Sequence, residues 1–312
     1  MSRLVVILGP TASGKSALAL KAAQPMGGEI VNCDSMQMYR GLSIGTAKPT
    51  VEERLSVRHH LFDILDPDEF YSAGRYMDEA RRVCREVSAR EGIPVVVGGT
   101  GLYLRALLEG VFEGPSAHHD LRRRLRRSAR RFGKGHLHRL LARLDPEAAA
   151  TIQPADQIRL IRAIEVCLIS GAPFSKVKKE RTPLRGVEVL KVGIDLPRQE
   201  LYQRINRRVA AMFERGLAEE VRSLMQSGYG PESKGFEALG YRPVASYLGG
   251  EMSREEALRQ TQQDSRRYAK RQMTWFRREE GVRWLHCAGE DARAFKQFKG
   301  LLKEFAPGRI KG

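Results

Sequence analysis

Gly9-Pro10-Thr11-Ala12-Ser13-Gly14-Lys15-Ser16 decides how this chain is read. It fits G-x-x-x-x-G-K-[ST], the phosphate-binding loop. Leu4-Val5-Val6-Ile7-Leu8 precedes it, a short apolar run that reads as a buried strand. Ala17-Leu18-Ala19-Leu20-Lys21-Ala22-Ala23 follows it, a set of good helix formers. In that strand-loop-helix setting the loop amides and the helix N-terminus converge on one spot and favour an anion there. Lys15 adds a full positive charge, and Ser16 is placed to put its hydroxyl on a magnesium ion shared with the phosphates. A compound with a di- or triphosphate is expected. The motif alone leaves open which compound it is and whether it is hydrolysed.

Working outward, Glu29-Ile30-Val31-Asn32-Cys33 reads as the second strand and ends on Asp34. Residues 34–49 are polar and glycine-containing without a period, hence loop. Ligands of parallel α/β sheets sit beyond the carboxyl ends of the strands, so Asp34 is expected in the crevice of the phosphate loop. Three roles stay open for it: magnesium ligand, general base, or helix N-cap. Tyr71 to Arg90 reads as an amphipathic helix, and Ile93-Pro94-Val95-Val96-Val97 as the third strand. Many nucleotide hydrolases close such a strand with a metal-binding aspartate, and this one does not. Attention therefore falls on Asp34. Gly98, Gly99 and Gly101 suit either a close approach to a ligand or a tight strand-to-helix turn. Leu102 to Leu108 begins another helix.

The chain has 312 residues with 54 Lys+Arg against 37 Asp+Glu, a net charge of +17. That imbalance points to a polyanionic partner. Residues 113–185 hold 17 Lys+Arg and 7 Asp+Glu, with seven arginines between Leu121 and Arg131. Strand signals are missing there, while Leu137 to Leu144 and Gln157 to Ile169 have helical spacing. In the second, Ile158, Ile161, Ile164 and Leu168 are expected to line the buried face, with Arg159 and Arg162 projecting elsewhere. We expect an α/β parallel-sheet core of phosphate-loop type, residues 1–112 and 186–312, interrupted by a basic helical domain, residues 113–185. Concentrated charge of this kind suits a nucleic-acid backbone, though a charge run is also an ordinary solvated face.

Val187 to Ile194 returns to the sheet, and Arg198 to Ser227 is a helix interrupted near Gly216. Arg204, Arg207 and Arg208 lie near its start and could reach a diphosphate. Ser253 and Glu256 form a capping box for a helix running to about Arg278. Its end has six basic residues, with Tyr268, Trp275 and Phe276 interleaved, a pattern that suits base stacking or a packed core. Val282 to Leu285 is a last strand. No apolar run approaches membrane-spanning length, and no signal peptide fits before the first strand. Cys33, Cys84, Cys167 and Cys287 are scattered, and the paired histidines lack zinc-ligand spacing. A reduced, cytoplasmic monomer with no membrane partner is expected.

Taken in order, the motifs resemble those of the bacterial tRNA dimethylallyltransferases, also called tRNA isopentenyltransferases. The markers are residues 9–16, Asp34-Ser35-Met36-Gln37-Met38-Tyr39, Gly45-Thr46-Ala47-Lys48-Pro49, Tyr71-Ser72-Ala73, Gly98-Gly99-Thr100-Gly101-Leu102-Tyr103, Gly240-Tyr241-Arg242 and Lys270-Arg271-Gln272-Met273-Thr274-Trp275. The resemblance implies transfer of a dimethylallyl group from dimethylallyl diphosphate to the exocyclic amine of adenine 37 in the anticodon stem-loop of tRNA. It implies Asp34 as general base, with Thr11, Lys15 and Arg208 on the diphosphate beside loop residues Gly9, Pro10, Ala12, Ser13, Gly14 and Ser16. Magnesium (Mg2+) would sit at Ser16. It implies tRNA contacts at Asp34, Ser35, Met36, Gln37, Thr100, Arg122, Gln157, Ile158, Arg159, Leu160, Ile161, Gly240, Tyr241 and Arg242. Two positions depart from the family pattern: Ala210, where aspartate is common after Arg-Val, and Arg58, where proline is usual. The zinc-finger tail of eukaryotic members is absent. A nucleoside or small-molecule kinase, and an RNA-binding module with a relic loop, are the competing readings.

Overall fold

The structure, a computed structural model, describes residues 2–112, 114–177 and 182–308. Glu113, where the sequence places the start of the insertion, lies outside the described residues. The chain divides into two compact units, residues 1–108 with 184–312, and residues 109–183.

In chain order the first unit begins with β1 (Ser2–Leu8), α1 (Lys15–Ala23), β2 (Glu29–Asn32), α2 (Val51–Ser56), β3 (His59–His60), α3 (Ala73–Ala89), β4 (Pro94–Gly98) and α4 (Gly101–Glu109). The second unit holds α5 (His119–Phe132), α6 (His136–Leu144), α7 (Pro146–Thr151), α8 (Gln157–Ser170) and α9 (Phe174–Val177). The first unit resumes with β5 (Val187–Ile194), α10 (Arg198–Glu214), α11 (Leu217–Gln226), α12 (Tyr241–Leu248), α13 (Arg254–Phe276), β6 (Val282–Leu285) and α14 (Ala292–Phe305).

Six parallel strands run in the order β3-β2-β4-β1-β5-β6. β1 lies inside, paired Val5 to Val95 on one side and Val5 to Leu190 on the other. Helices cover both faces of such a sheet, so its inner strands are apolar without alternation, and Leu4 to Leu8 are each about 1% exposed or less. The carboxyl ends of β1, β4 and β2 stand side by side, and each runs into one of the sequence motifs. The phosphate loop follows Leu8, Gly99-Thr100 follows Gly98, and Cys33-Asp34 follows Asn32. β3 and α2 have no counterpart in the sequence reading. β3 is too short for a strand pattern, and α2 buries no residue, being held by a Thr50–Glu53 capping box.

The helical unit has its own core of Leu125, Leu137, Leu141, Leu160, Ile161 and Ile164. Here one expectation is corrected. Ile158 is 84% exposed and Leu168 51%, while Leu160, Ala163 and Cys167 face inward with Ile161 and Ile164. The buried stripe is rotated from the one the isoleucines suggest because Glu165 belongs to it. Its carboxylate accepts the His118 N–H at 2.7 Å, Arg122 Nε at 2.8 Å and Nη2 at 2.7 Å, and Arg162 Nη1 at 2.6 Å. These donors hold Glu165 below the usual carboxylate range against its desolvation. A carboxylate on the inner face inverts the hydropathy pattern from which the helix was read.

That orientation is testable. Leu160→Ala should lower the stability of the helical unit by about 2–5 kcal/mol through cavity formation. Ile158→Ala should change it by no more than about 0.5 kcal/mol. Denaturant midpoints that rank the two substitutions the other way would reject the observed face.

Candidate active site

Gly14 caps α1 with φ of +87°, a left-handed conformation that suits glycine, and Ala12 holds φ of +63° in the same loop. The loop is braced from behind. Arg204 Nε donates to the Ala12 carbonyl at 2.8 Å, and the Gly289 N–H donates to the Ser13 carbonyl at 2.9 Å. Because the peptide is planar and trans, turning the Ser13 carbonyl toward Gly289 turns the Gly14 N–H the opposite way. Arg204 also pairs with Glu290. Of Arg204, Arg207 and Arg208 on α10, Arg204 therefore serves the loop backbone, Arg207 is exposed, and Arg208 lines the cleft.

The cleft has a volume of about 230 Å³. Thr11, Ala12, Lys15 and Ser16 form its phosphate-loop wall, and Asp34 to Gln37 form the next. Arg208, Tyr268 and Arg271 close it, with Ile205, Val209, Met212 and Leu239 as its apolar part. Burial lowers Lys15 to about 8, with Asp34 opposing that shift and Arg208 adding to it. Burial likewise lowers Arg208, and Asp34 again opposes it. With Arg271 and Glu237 also on its wall, the cleft has three cations against two carboxylates and so surplus positive charge.

Asp34 is no helix cap: a turn follows it, and its Oδ1 accepts the Met36 N–H at 3.0 Å. Asn32 fixes the peptide, accepting the Asp34 N–H at 2.8 Å and donating Nδ2 to the Asp34 carbonyl at 3.0 Å. Tyr76 in turn donates to the Asn32 carbonyl at 3.0 Å. The Ser35 N–H donates to Thr100 Oγ1 at 3.0 Å, and the Thr100 N–H donates to the Cys33 carbonyl at 3.1 Å. The Thr100 and Asp34 segments thus form one block. The glycines of the Gly98-Gly99-Thr100-Gly101 motif have a third explanation beyond the two left open. A Cβ at Gly98 would strike the Cys33 backbone, at Gly99 the Gln272 amide, and at Gly101 the Trp275 ring. They admit protein, not ligand.

Gln37 Nε2 donates to the Thr46 and Ala47 carbonyls at 3.0 and 3.1 Å. The far side of that loop hangs on Glu220, whose carboxylate accepts the Ser43, Ile44 and Gly45 N–H groups at 2.9, 2.8 and 3.3 Å and the Tyr241 hydroxyl at 2.6 Å. Tyr241 is fully buried, and a Cβ on Gly45 would collide with its ring. The Gly240-Tyr241-Arg242 and Gly45-Thr46-Ala47-Lys48-Pro49 motifs are therefore one packing unit. Of the three residues named as tRNA contacts, Tyr241 and Gly240 are buried and Arg242 is exposed. Leu160 and Ile161 are buried likewise, at 1% and 5% exposed. Gln157, Ile158 and Arg159 are exposed at the start of α8. Arg122 turns Nε and Nη2 to Glu165, and its side chain stays 27% exposed. Phe276 is core at 1% exposure, and Trp275 lies under Arg105, 4.6 Å from the guanidinium carbon. Tyr268 alone of the three aromatics lines the cleft. Sequence reasoning gave no role to Glu220 or to Gln272, although Gln272 stands within the Lys270 to Trp275 marker as a neutral amide beside bases.

No group of three or more His, Cys, Asp or Glu side chains placed for a metal exists among the described residues. Ser16 and Asp34 both line the cleft. One or two protein oxygens suffice for magnesium carried largely by phosphate and water, so the donor set fits that ion. No helix among the described residues is long and apolar enough to cross a membrane.

A parallel sheet with a phosphate loop, cleft cations and a strand-end carboxylate is the frame of a phosphate-loop enzyme that handles a phosphorylated substrate. The IPP transferase family profile matches residues 37–279, and an isopentenyl transferase profile matches residues 2–66. The chain belongs to this family, that of the tRNA dimethylallyltransferases. It is 51% identical to the tRNA dimethylallyltransferase of Koribacter versatilis over 96% of this chain and 98% of that protein. It is 47% identical to that of Geobacter sulfurreducens over 91% and 92%. Among solved structures it resembles the full-length tRNA isopentenylpyrophosphate transferase of Bacillus halodurans, with TM-score 0.70, 38% identity, and 97% and 98% of the two chains covered. It also resembles a eukaryotic dimethylallyltransferase acting on tRNA, with TM-score 0.81, 26% identity, and 100% and 81% covered. The kinase and relic-module readings give way to this membership.

Burial of Lys15 has a measurable consequence. Its amine should titrate near 8 in the ligand-free protein, against 10.5 for an unperturbed lysine. The folded-state value is the lower one, so folding stability rises with pH between the two values. Inorganic diphosphate, by supplying opposite charge, should move the titration upward. Carbon-13 titration of the labelled lysine follows both. An ordinary lysine value without ligand, or no upward movement with it, would contradict the geometry.

Proposed function

We propose that this enzyme transfers the dimethylallyl group of dimethylallyl diphosphate to the exocyclic N6 of adenine 37 in the tRNA anticodon loop. A nitrogen–carbon bond forms as the carbon–oxygen bond to diphosphate breaks. The N6 proton passes to Asp34, and the electron pair of the broken bond leaves with the diphosphate. The exocyclic amine is a weak nucleophile because its lone pair is delocalised into the ring, so a base placed at it matters. Asp34 fits that role, since Oδ1 is occupied by the Met36 N–H and Oδ2 accepts from no described residue. Lys15, Arg208, the Thr11 hydroxyl and the loop amides receive the charge that grows on the diphosphate. Magnesium, when bound through Ser16 and the diphosphate, would add further neutralisation of that charge. The adenine must leave its stack to enter a cleft of this depth. Ser35, Met36 and Gln37 line the same cleft and would meet the base there, with Tyr268 offering a stacking face. The observation that carries the reading is the shared cleft of Asp34, Lys15 and Arg208.

We assign tRNA-backbone binding to the helical unit. Arg124, Arg126, Arg127, Arg130 and Arg131 are exposed on α5, whereas Arg122 is half-buried and paired with Glu165. The four cysteines are free and buried, which suits a reducing, cytoplasmic setting.

Asp34→Asn separates base from metal ligand. As a base, Asp34 acts in the transition state, so the change should cut turnover about 100-fold to 10,000-fold with both substrates still bound. Recovery of activity by excess magnesium, or a single-turnover rate within a few-fold of the parent, would defeat the assignment.

Neutralising Arg126, Arg127 and Arg130 together should flatten the dependence of tRNA affinity on salt, by about 0.7–0.9 in log-log slope for each phosphate that is no longer neutralised. Affinity for dimethylallyl diphosphate should hold. An unchanged slope would reduce this face to a solvated surface.

A further inference from the structure

The ladder between β1 and β4 ends at the pair Leu8 and Gly98. Beyond it the two chains diverge, one into the phosphate loop and the other into Gly99 and Thr100. Gln272 of α13 fills that gap, at 5% exposure. Its Oε1 accepts the Thr11 N–H at 2.8 Å, and its Nε2 donates to the Gly99 carbonyl at 2.8 Å. The side-chain amide acts as one more rung, giving a donor and an acceptor where a backbone peptide would. The chemistry fixes which end is oxygen, since the reverse orientation would set N–H against N–H and oxygen against oxygen.

We propose that Gln272 is a positioning residue that sets the leaving-group side of the cleft against the base side. Thr11 belongs to the diphosphate loop, and Gly99 adjoins Asp34. A Cβ on Gly99 would collide with Gln272 Nε2 and stand 3.8 Å from Asp34 Oδ2, so the amide lies beside the base. Thr261, Ser265 and Tyr268 precede Gln272 at spacings of four, three and four, and all three line the cleft. One face of α13 thus carries both the clamp and the wall on which the acceptor base would stack. In-line displacement requires the attacking nitrogen, the carbon and the diphosphate to be aligned, and small misplacement of positioning groups costs up to about 100-fold in rate. Gln272 touches neither reacting partner and acts through Thr11 and Gly99.

The inference rests on the transferase reading, which turnover by the parent protein checks separately. The test uses Gln272→Met, which keeps length and volume and removes both hydrogen bonds, and Gln272→Glu, which keeps the acceptor for Thr11 and sets an oxygen against the Gly99 carbonyl. Each is assayed for kcat, for KM with dimethylallyl diphosphate and with tRNA, and for Tm. For both variants we expect kcat to fall about 10-fold to 100-fold. Each KM should stay within a few-fold of the parent, and the Thr11 amide in Gln272→Met should lose protection from hydrogen exchange. A parent that turns over beside a Gln272→Met variant with unchanged kcat overturns the inference alone. So does a rise in both KM values in step with a fall in Tm, which would make Gln272 a packing residue only. Should Gln272→Met fail to fold, the kcat-against-KM split of Gln272→Glu decides the matter.

Discussion

Past the pair Leu8 and Gly98 the parallel ladder stops, and the backbone groups beyond it need other partners. The cleft is built from the answers. Asn32 serves the Asp34 peptide, Thr100 serves Ser35, and Gln272 serves Thr11 and Gly99. Farther out, Glu220 serves three successive N–H groups of the 43–45 turn. Each partner is a short-reach polar side chain on a rigid element or beside one. The irregular backbone that carries Thr11, Asp34 and Gln37 is thereby held nearly as firmly as the sheet, which is what a transfer reaction between two substrates asks of it.

Electrostatics follows from the same arrangement. Lys15 and Arg208 approach Asp34 from α1 and α10, and burial pushes both cations down while Asp34 supports them. A cleft poised this way gains most from a polyvalent anion, which relieves the two cations together. A neutral ligand would leave their desolvation uncompensated. The pair of cations would favour a diphosphate as much as the glycine loop does.

The sheet and the phosphate loop were legible because their signals are local. An apolar run, glycines at fixed spacing and a following helix lie within some twenty residues. The Asp34 and Thr100 segments were legible as strand ends, though not as a hydrogen-bonded block. Contacts across long sequence separations left little trace. Glu220 meets residues 43–45 from 175 or more positions away, and Gln272 meets Thr11 from 261. The Gly240-Tyr241-Arg242 motif was visible, but its purpose was not. A buried tyrosine whose hydroxyl is held by a distant carboxylate looks, in sequence, like any surface tyrosine beside an arginine.

The helical unit shows the limit of counting charge. Its arginines read as one basic field, yet two of them face inward to neutralise Glu165, a carboxylate with no exposed surface. A lone carboxylate there would be untenable. Two guanidinium groups and the His118 N–H satisfy its oxygens, so the cluster anchors α5 to α8 instead of contributing to the external potential. Arg123 is further offset by Asp120, its neighbour one turn back. What remains for a polyanion is less than the composition suggests, and its densest part is the run from Arg124 to Arg131 on the exposed face of α5. It is spaced along a helix whose only fully buried side chain is Leu125. A helix so lightly anchored by apolar contact depends on the Glu165 cluster to hold its orientation. The buried ion pairs and the exposed arginine face are therefore two consequences of one placement, with Glu165 inside fixing which arginines are left outside.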